Sequence, residues 1–77
     1  MKELLNYILK EILDKTEFEI NEREEDGKTI FTIIVDPESI GLVIGKGGLT
    51  IKAIQNLLRV RARLENKMVY LNVEPSG

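Results

Sequence analysis

The stretch Val43-Ile44-Gly45-Lys46-Gly47-Gly48-Leu49-Thr50-Ile51 constrains this chain more than any other part of it. An apolar pair runs into a turn framed by glycines, and the turn opens directly onto residues with helical spacing. Glycine has no Cβ and tolerates positive φ, so the backbone of a polyanion can approach such a turn closely. The helix that follows aims unpaired N–H groups, and the positive end of its dipole, at whatever rests over the turn. Lys46 places a cation inside it. A phosphate is the ligand that this combination suits.

Spacing excludes two familiar phosphate loops. A Walker loop ending at Gly45-Lys46 needs glycine at position 40 and Ser or Thr at 47, where this chain has Ile40 and Gly47. A dinucleotide fingerprint needs a third glycine at position 50, which is Thr50, and a strand before the loop. The bland alternative is a plain helix–turn–helix connection, with Gly45 ending one helix and Gly48 relieving crowding. Three glycines, an internal lysine and a basic helix face downstream together weigh against it.

The rest of the chain supplies a small α+β frame. Leu4, Leu5, Ile8, Leu9, Ile12 and Leu13 recur at three- and four-residue steps, which predicts an amphipathic helix over about 2–14. Residues 16–22 alternate apolar and polar as a half-buried strand does. Asp26-Gly27 is a hairpin turn, and Thr29 to Val35 reads as a more deeply buried strand paired antiparallel with the first. Asp36-Pro37-Glu38 has the form of a helix start with Asp36 as its cap, leading a short helix over about 37–43. From Leu49 to about Arg63 a second long helix puts Ile51, Ile54, Leu58 and Ala62 on one face. Lys52, Asn56, Arg59 and Arg63 fall on another face, while Arg61 lands inside the apolar arc. After a turn at Asn66-Lys67, Met68 to Val73 is a last strand, and residues 74–77 read as a frayed end. The expected architecture is one domain over 1–77, a three-stranded sheet covered on one face by helices and open on the other.

Composition narrows the chemistry. At 77 residues, 43% apolar and 31% charged, the chain can bury one thin core. It has no cysteine and no histidine, which removes disulfides, thiolate metal sites and the commonest general base. The acidic run Glu22-Arg23-Glu24-Glu25-Asp26 sits in a tight turn whose carboxylates cannot converge on one ion. Nothing points to catalysis, a metal or a cofactor. No apolar run reaches the roughly 20 residues that span a bilayer, and the N-terminus mixes acids with bases, so a cytoplasmic location and no membrane partner are expected. Met1 reads as a natural start rather than the edge of an excised domain. Net charge is −2, yet residues 1–45 carry eleven acids and five bases whereas residues 46–77 carry six bases and two acids. Such asymmetry can concentrate positive potential on one face.

Val43-Ile44-Gly45-x-x-Gly48-x-x-Ile51 resembles the signature of the K-homology (KH) RNA-binding domain, and the helix-first, strand-last order is similar to its prokaryotic type II form. With the opening residues and the Asp36-Pro37-Glu38 entry, the likeness extends over essentially the whole chain, to the small bacterial proteins made of one such domain. It implies a non-enzymatic RNA-binding protein whose GxxG turn clamps the backbone of about four unpaired nucleotides beside an aliphatic groove. The site residues carried over are Ile44, Gly45, Lys46, Gly47, Gly48, Leu49, Ile51 and Lys52. It also implies an RNA-chaperone role linked to cell shape and cell-wall biogenesis. The partners implied are single-stranded RNA and either a second copy or a larger KH protein of the KhpB (Jag) type. Two features depart from the pattern. Gly47 stands where a second polar or basic side chain is common, and Tyr7, Phe18, Phe31 and Tyr70 offer few stacking platforms. A reading of a different class is an interaction module that dimerises through the open sheet face or a strand edge.

Overall fold

The computed structural model describes residues 1–14 and 17–77. Helix α1 spans Lys2–Leu13, followed by strands β1 (Phe18–Glu25) and β2 (Lys28–Val35). A single 3-10 turn, Pro37–Ser39, leads into the short helix α2 (Ile40–Ile44). A second 3-10 turn, Lys46–Gly48, joins α2 to α3 (Leu49–Leu64), and β3 (Met68–Pro75) closes the fold. The order is the one expected, an α+β arrangement of three strands and three helices among the described residues.

β1 and β2 pair antiparallel from Phe18↔Val35 to Glu25↔Lys28, so both strands run up to the Asp26-Gly27 turn. Asp26 and Gly27 both have positive φ, 48° and 78°, which is what a tight two-residue hairpin turn demands. The expected start of β1 at Thr16 lies outside the described residues. β3 lies parallel to β2 on its other side, from Lys28↔Met68 to Val35↔Pro75, giving the sheet order β1-β2-β3.

Two local expectations are corrected. Residues 74 and 75 are strand rather than a frayed end, and Ser76 N–H donates to Val35 O at 2.8 Å. The parallel ladder to β2 holds them, a pairing that the Glu-Pro-Ser-Gly composition does not reveal. The Asp36 side chain caps nothing; its carbonyl accepts the Ser39 N–H at 2.8 Å instead. A 3-10 turn closes its own i→i+3 bond, leaving less for a side-chain cap to satisfy.

The core follows from the two periodicities. β2, the central strand, sends Thr29, Phe31, Ile33 and Val35 to the helix side, all buried. Leu5, Leu9 and Leu13 of α1, Val43 of α2, Ile54, Leu58 and Ala62 of α3 and Val69 of β3 complete one cluster. Full burial of an aliphatic or Phe side chain stabilises by about 1.5–3 kcal/mol, so the core anchors each element at one or more points. Val43 ties down α2 while Ile54 and Leu58 tie down α3, which holds their connection, residues 45–48, at the molecular surface.

Candidate nucleic-acid interface

The turn between α2 and α3 is built from left-handed glycines. Gly45 ends α2, its N–H donating to Gly41 O at 2.8 Å, and adopts φ 76°, ψ 170°. That region is open essentially to glycine alone. Gly47 and Gly48 follow at φ 65° and 79° with ψ near the left-handed helical value, 16° and 13°. A Cβ on Gly45 would come within 2.8 Å of the Thr50 backbone nitrogen, whereas one on Gly47 or Gly48 would meet nothing within 4 Å. Gly45 therefore lets the turn pack on the start of α3, and the other two face open space. Crowding is relieved at Gly45 and not at Gly48, where a plain helix–turn–helix connection would need it.

Part of the donor supply is used inside the turn. Gly48 N–H donates to Gly45 O at 3.1 Å, and Leu49 N–H donates to Lys46 O. Leu49 is therefore not among the free donors at the α3 start, because the 3-10 turn before α3 takes its N–H. The next amides of a helical first turn have no intrahelical acceptor, and the dipole end adds to the same positive region. Lys46 and Gly47 are exposed, while Ile44, Gly45, Gly48 and Ile51 are half-buried.

Helix α3 separates the remaining site residues. Ile51 packs against the core cluster, and Lys52 is exposed on the side that also carries Asn56, Arg59 and Arg63. Leu49 stands elsewhere. It is 70% exposed and, at 100° per residue, it lines up with Ala53, Leu57, Val60 and Leu64 on the face turned away from the core. Ile44, Gly45, Lys46, Gly47 and Gly48 thus form the turn and its entry, Ile51 and Lys52 follow on the first turn of α3, and Leu49, next to Gly48, also heads a second surface.

That surface was missed by the sequence reading. Leu57, Val60 and Leu64 are 54%, 61% and 77% exposed. Together with Leu49 and Ala53 they recur at steps of 4, 4, 3 and 4, a seam pattern legible once the core face is subtracted. Arg61 also belongs outside the core: it is exposed and pairs with Glu65 at 3.7 Å.

The electrostatics favour one flank of α3. Among the described residues Lys46, Lys52, Arg59 and Arg63 have no carboxylate partner, while Lys67 binds Glu24 at 2.8 Å. The Lys67 ammonium, donating to that carboxylate, holds Glu24 below the ordinary carboxylate range, and Glu24 in turn raises Lys67. This pair joins the β1–β2 hairpin to the turn after α3. Lys46, Lys52, Arg59 and Arg63 are thus free cations beside the glycine turn and along α3.

The chain matches a family model described as "KhpA/KhpB, KH domain" over residues 2–73. Among curated relatives, the "RNA-binding protein KhpA" of Thermotoga maritima is 46% identical over 59 residues, 75% of this chain and 79% of the relative. That of Chlamydia trachomatis is 43% identical over 75 residues, 95% of each chain. That of Oceanobacillus iheyensis is 35% identical over 74 residues, covering 95% of this chain and 99% of the relative. The match runs from α1 into β3 and takes in the glycine turn and both helices that hold it, so the chain belongs to the KhpA/KhpB family of KH domains.

Proposed function

We propose that this chain binds single-stranded RNA on the Gly45–Gly48 turn, as a single KH domain over residues 1–77. The observation that carries the reading is the open space over Gly47 and Gly48 beside the unpaired cation Lys46. A sugar-phosphate chain can lie on that bare backbone, with Lys46 and Lys52 neutralising phosphates and the α3 dipole adding to them. Bases then rest beside Ile44 and Ile51 and are read along their Watson–Crick edges. Leu49 contributes from the rim. The naming of the relatives as RNA-binding proteins supports the ligand class. Few cations and few aromatic platforms make the grip weak and quickly released, which suits a chaperone of RNA folding better than a permanent clamp. The test is fluorescence anisotropy with labelled single-stranded RNA of mixed sequence, comparing the chain with its Lys46→Asp, Gly47→Asp variant. Asp tolerates the left-handed conformation of residue 47, and far-UV circular dichroism checks that the variant is folded. It loses RNA affinity if the turn is the site; unchanged affinity in a folded variant removes the turn from the mechanism.

A second reading rests on the outward face of α3. The Leu49, Ala53, Leu57, Val60 and Leu64 seam is nearly symmetric about its midpoint. An antiparallel copy therefore sets Leu49 against the partner's Leu64 and Ala53 against its Val60, as a two-fold interface requires. The domain then pairs with itself or with another KH protein of the same family while leaving the glycine turn free. Light scattering reads this directly as the mass in solution without RNA.

A further inference from the structure

We infer that the outer edge of β1 is a docking site for an extended, basic peptide, which adds to the sheet as a fourth strand. The inference goes beyond the RNA reading and uses the opposite edge of the sheet from β3. β1 is an edge strand eight residues long, so its outward backbone N–H and C=O groups have no strand partner among the described residues. α1 does not close over it. A cleft of about 560 Å³ separates them, with Lys2, Glu3 and Asn6 on the helix side and Phe18, Ile20 and Asn21 along the strand. At Asn6, Phe18 and Glu19 it opens into a larger hollow of about 940 Å³. By register, Phe18 and Ile20 share the helix face of the sheet with Val35 and Ile33, and both remain only half-buried. They form an apolar floor that an added strand would cover with every second side chain.

Charge selects the occupant. Glu19 points to the open face and Glu22 to the helix face, and neither has an ion-pair partner among the described residues. Glu24 and Glu25 are already paired, with Lys67 and Arg23. β1 carries Glu19, Glu22, Glu24 and Glu25 against Arg23 alone, so a second copy pairing edge to edge brings together two strands of the same net sign, which disfavours it. An RNA strand is disfavoured as well, because Glu3, Asp14, Glu17 and Glu19 outnumber Lys2 and Lys10 along the two hollows. A peptide alternating cationic and β-branched residues fits both features, its apolar side chains over Phe18 and Ile20 and its cations beside the carboxylates.

The probe is the blocked hexapeptide Lys-Val-Lys-Val-Lys-Val, titrated into the isotopically labelled full chain and followed by amide hydrogen exchange. The expected result is slowing by about tenfold or more at alternate β1 amides, with no protection at residues 45–48. The hexapeptide Lys-Pro-Lys-Pro-Lys-Pro keeps the charge but cannot join the ladder, and gives no such protection. The exposed pair change Glu19→Lys with Glu22→Lys weakens the Lys-Val peptide severalfold and leaves RNA affinity no lower. Equal binding of the two peptides, or shifts spread over the acidic surface without slowed exchange in β1, overturns the assignment. So does the absence of binding. Because the RNA turn is read by separate amides, either proposal can fail without the other.

Discussion

Gly45 and Gly47 differ in what they protect, although both have positive φ. At Gly45 the backbone lies in a region closed to other residues, and a Cβ would press on the Thr50 backbone. Gly45→Ala is expected to destabilise the fold by about 2–3 kcal/mol, measured by urea unfolding. At Gly47 only the left-handed conformation must be met and the space is open, so Gly47→Ala costs about 1 kcal/mol in the same measurement. Equal losses at the two positions would contradict the geometry. Sequence spacing located these glycines but could not rank them, because the neighbour that matters is Thr50, whose approach depends on how α3 leaves the turn. Thr29 carries a second residue-scale consequence. Its hydroxyl is buried and closes no hydrogen bond of ordinary geometry; it leans toward the carboxylate of its cross-strand neighbour Glu24, where it is the smallest of the influences that lower Glu24, and Lys67 takes the strong bond. Thr29→Val keeps the shape and removes the orphan group, so the midpoint of unfolding should rise by the equivalent of about 1 kcal/mol. Nothing in the run Lys28 to Val35 marks Thr29 as unsatisfied, since any strand threonine could face solvent or a partner.

Helix α3 is where sequence periodicity was both most informative and most incomplete. Its core face, Ile54, Leu58 and Ala62, is buried as its spacing required, and Ile51 packs beside them. The same arithmetic yields the Leu49–Leu64 seam, but periodicity reports only that a face is apolar. Whether the chain itself covers that face depends on where β3 and α1 lie, which no local pattern contains. β3 shows the same limit. Its largely apolar run Met68 to Val73 identified the strand, while its last two residues are strand only through the parallel register with β2. For α3 the consequence is a substitution that separates packing from association. Changing Leu57→Lys together with Val60→Lys touches exposed residues alone, so unfolding of the single chain should move by no more than about 0.5 kcal/mol per site. Light scattering should show the parent as a dimer and the variant at the monomer mass. A monomeric parent at the same concentration ends the second reading of the function and leaves the RNA reading untouched.

At the scale of the whole molecule, the two proposed surfaces respond to salt with opposite signs. RNA on the glycine turn is held by Lys46, Lys52 and the helix dipole, so binding releases counterions from about two or three phosphates. Its affinity should fall by about 25-fold to 130-fold for a tenfold rise in salt, as judged from the single-strand slope of about 0.7 per phosphate. The α3 seam is apolar, and its flank carries Lys52, Arg59 and Arg63 without carboxylate partners among the described residues. In an antiparallel pair like flanks face each other, so these cations approach the partner's cations. Salt screens that repulsion while leaving the apolar contact in place, and dimerisation should tighten as salt rises. Repulsion between the flanks also makes them an attractive place for a polyanion, so RNA added at low salt should promote the dimer rather than dissolve it. Sedimentation across a salt series, with and without RNA, reads all three effects in one set of samples. A dimer that weakens with salt would mean that ion pairs hold it, and the seam would then not be the contact. The net charge of −2 is uninformative here because it averages an acidic β1 region with a basic α3, and the fold keeps the two on different elements.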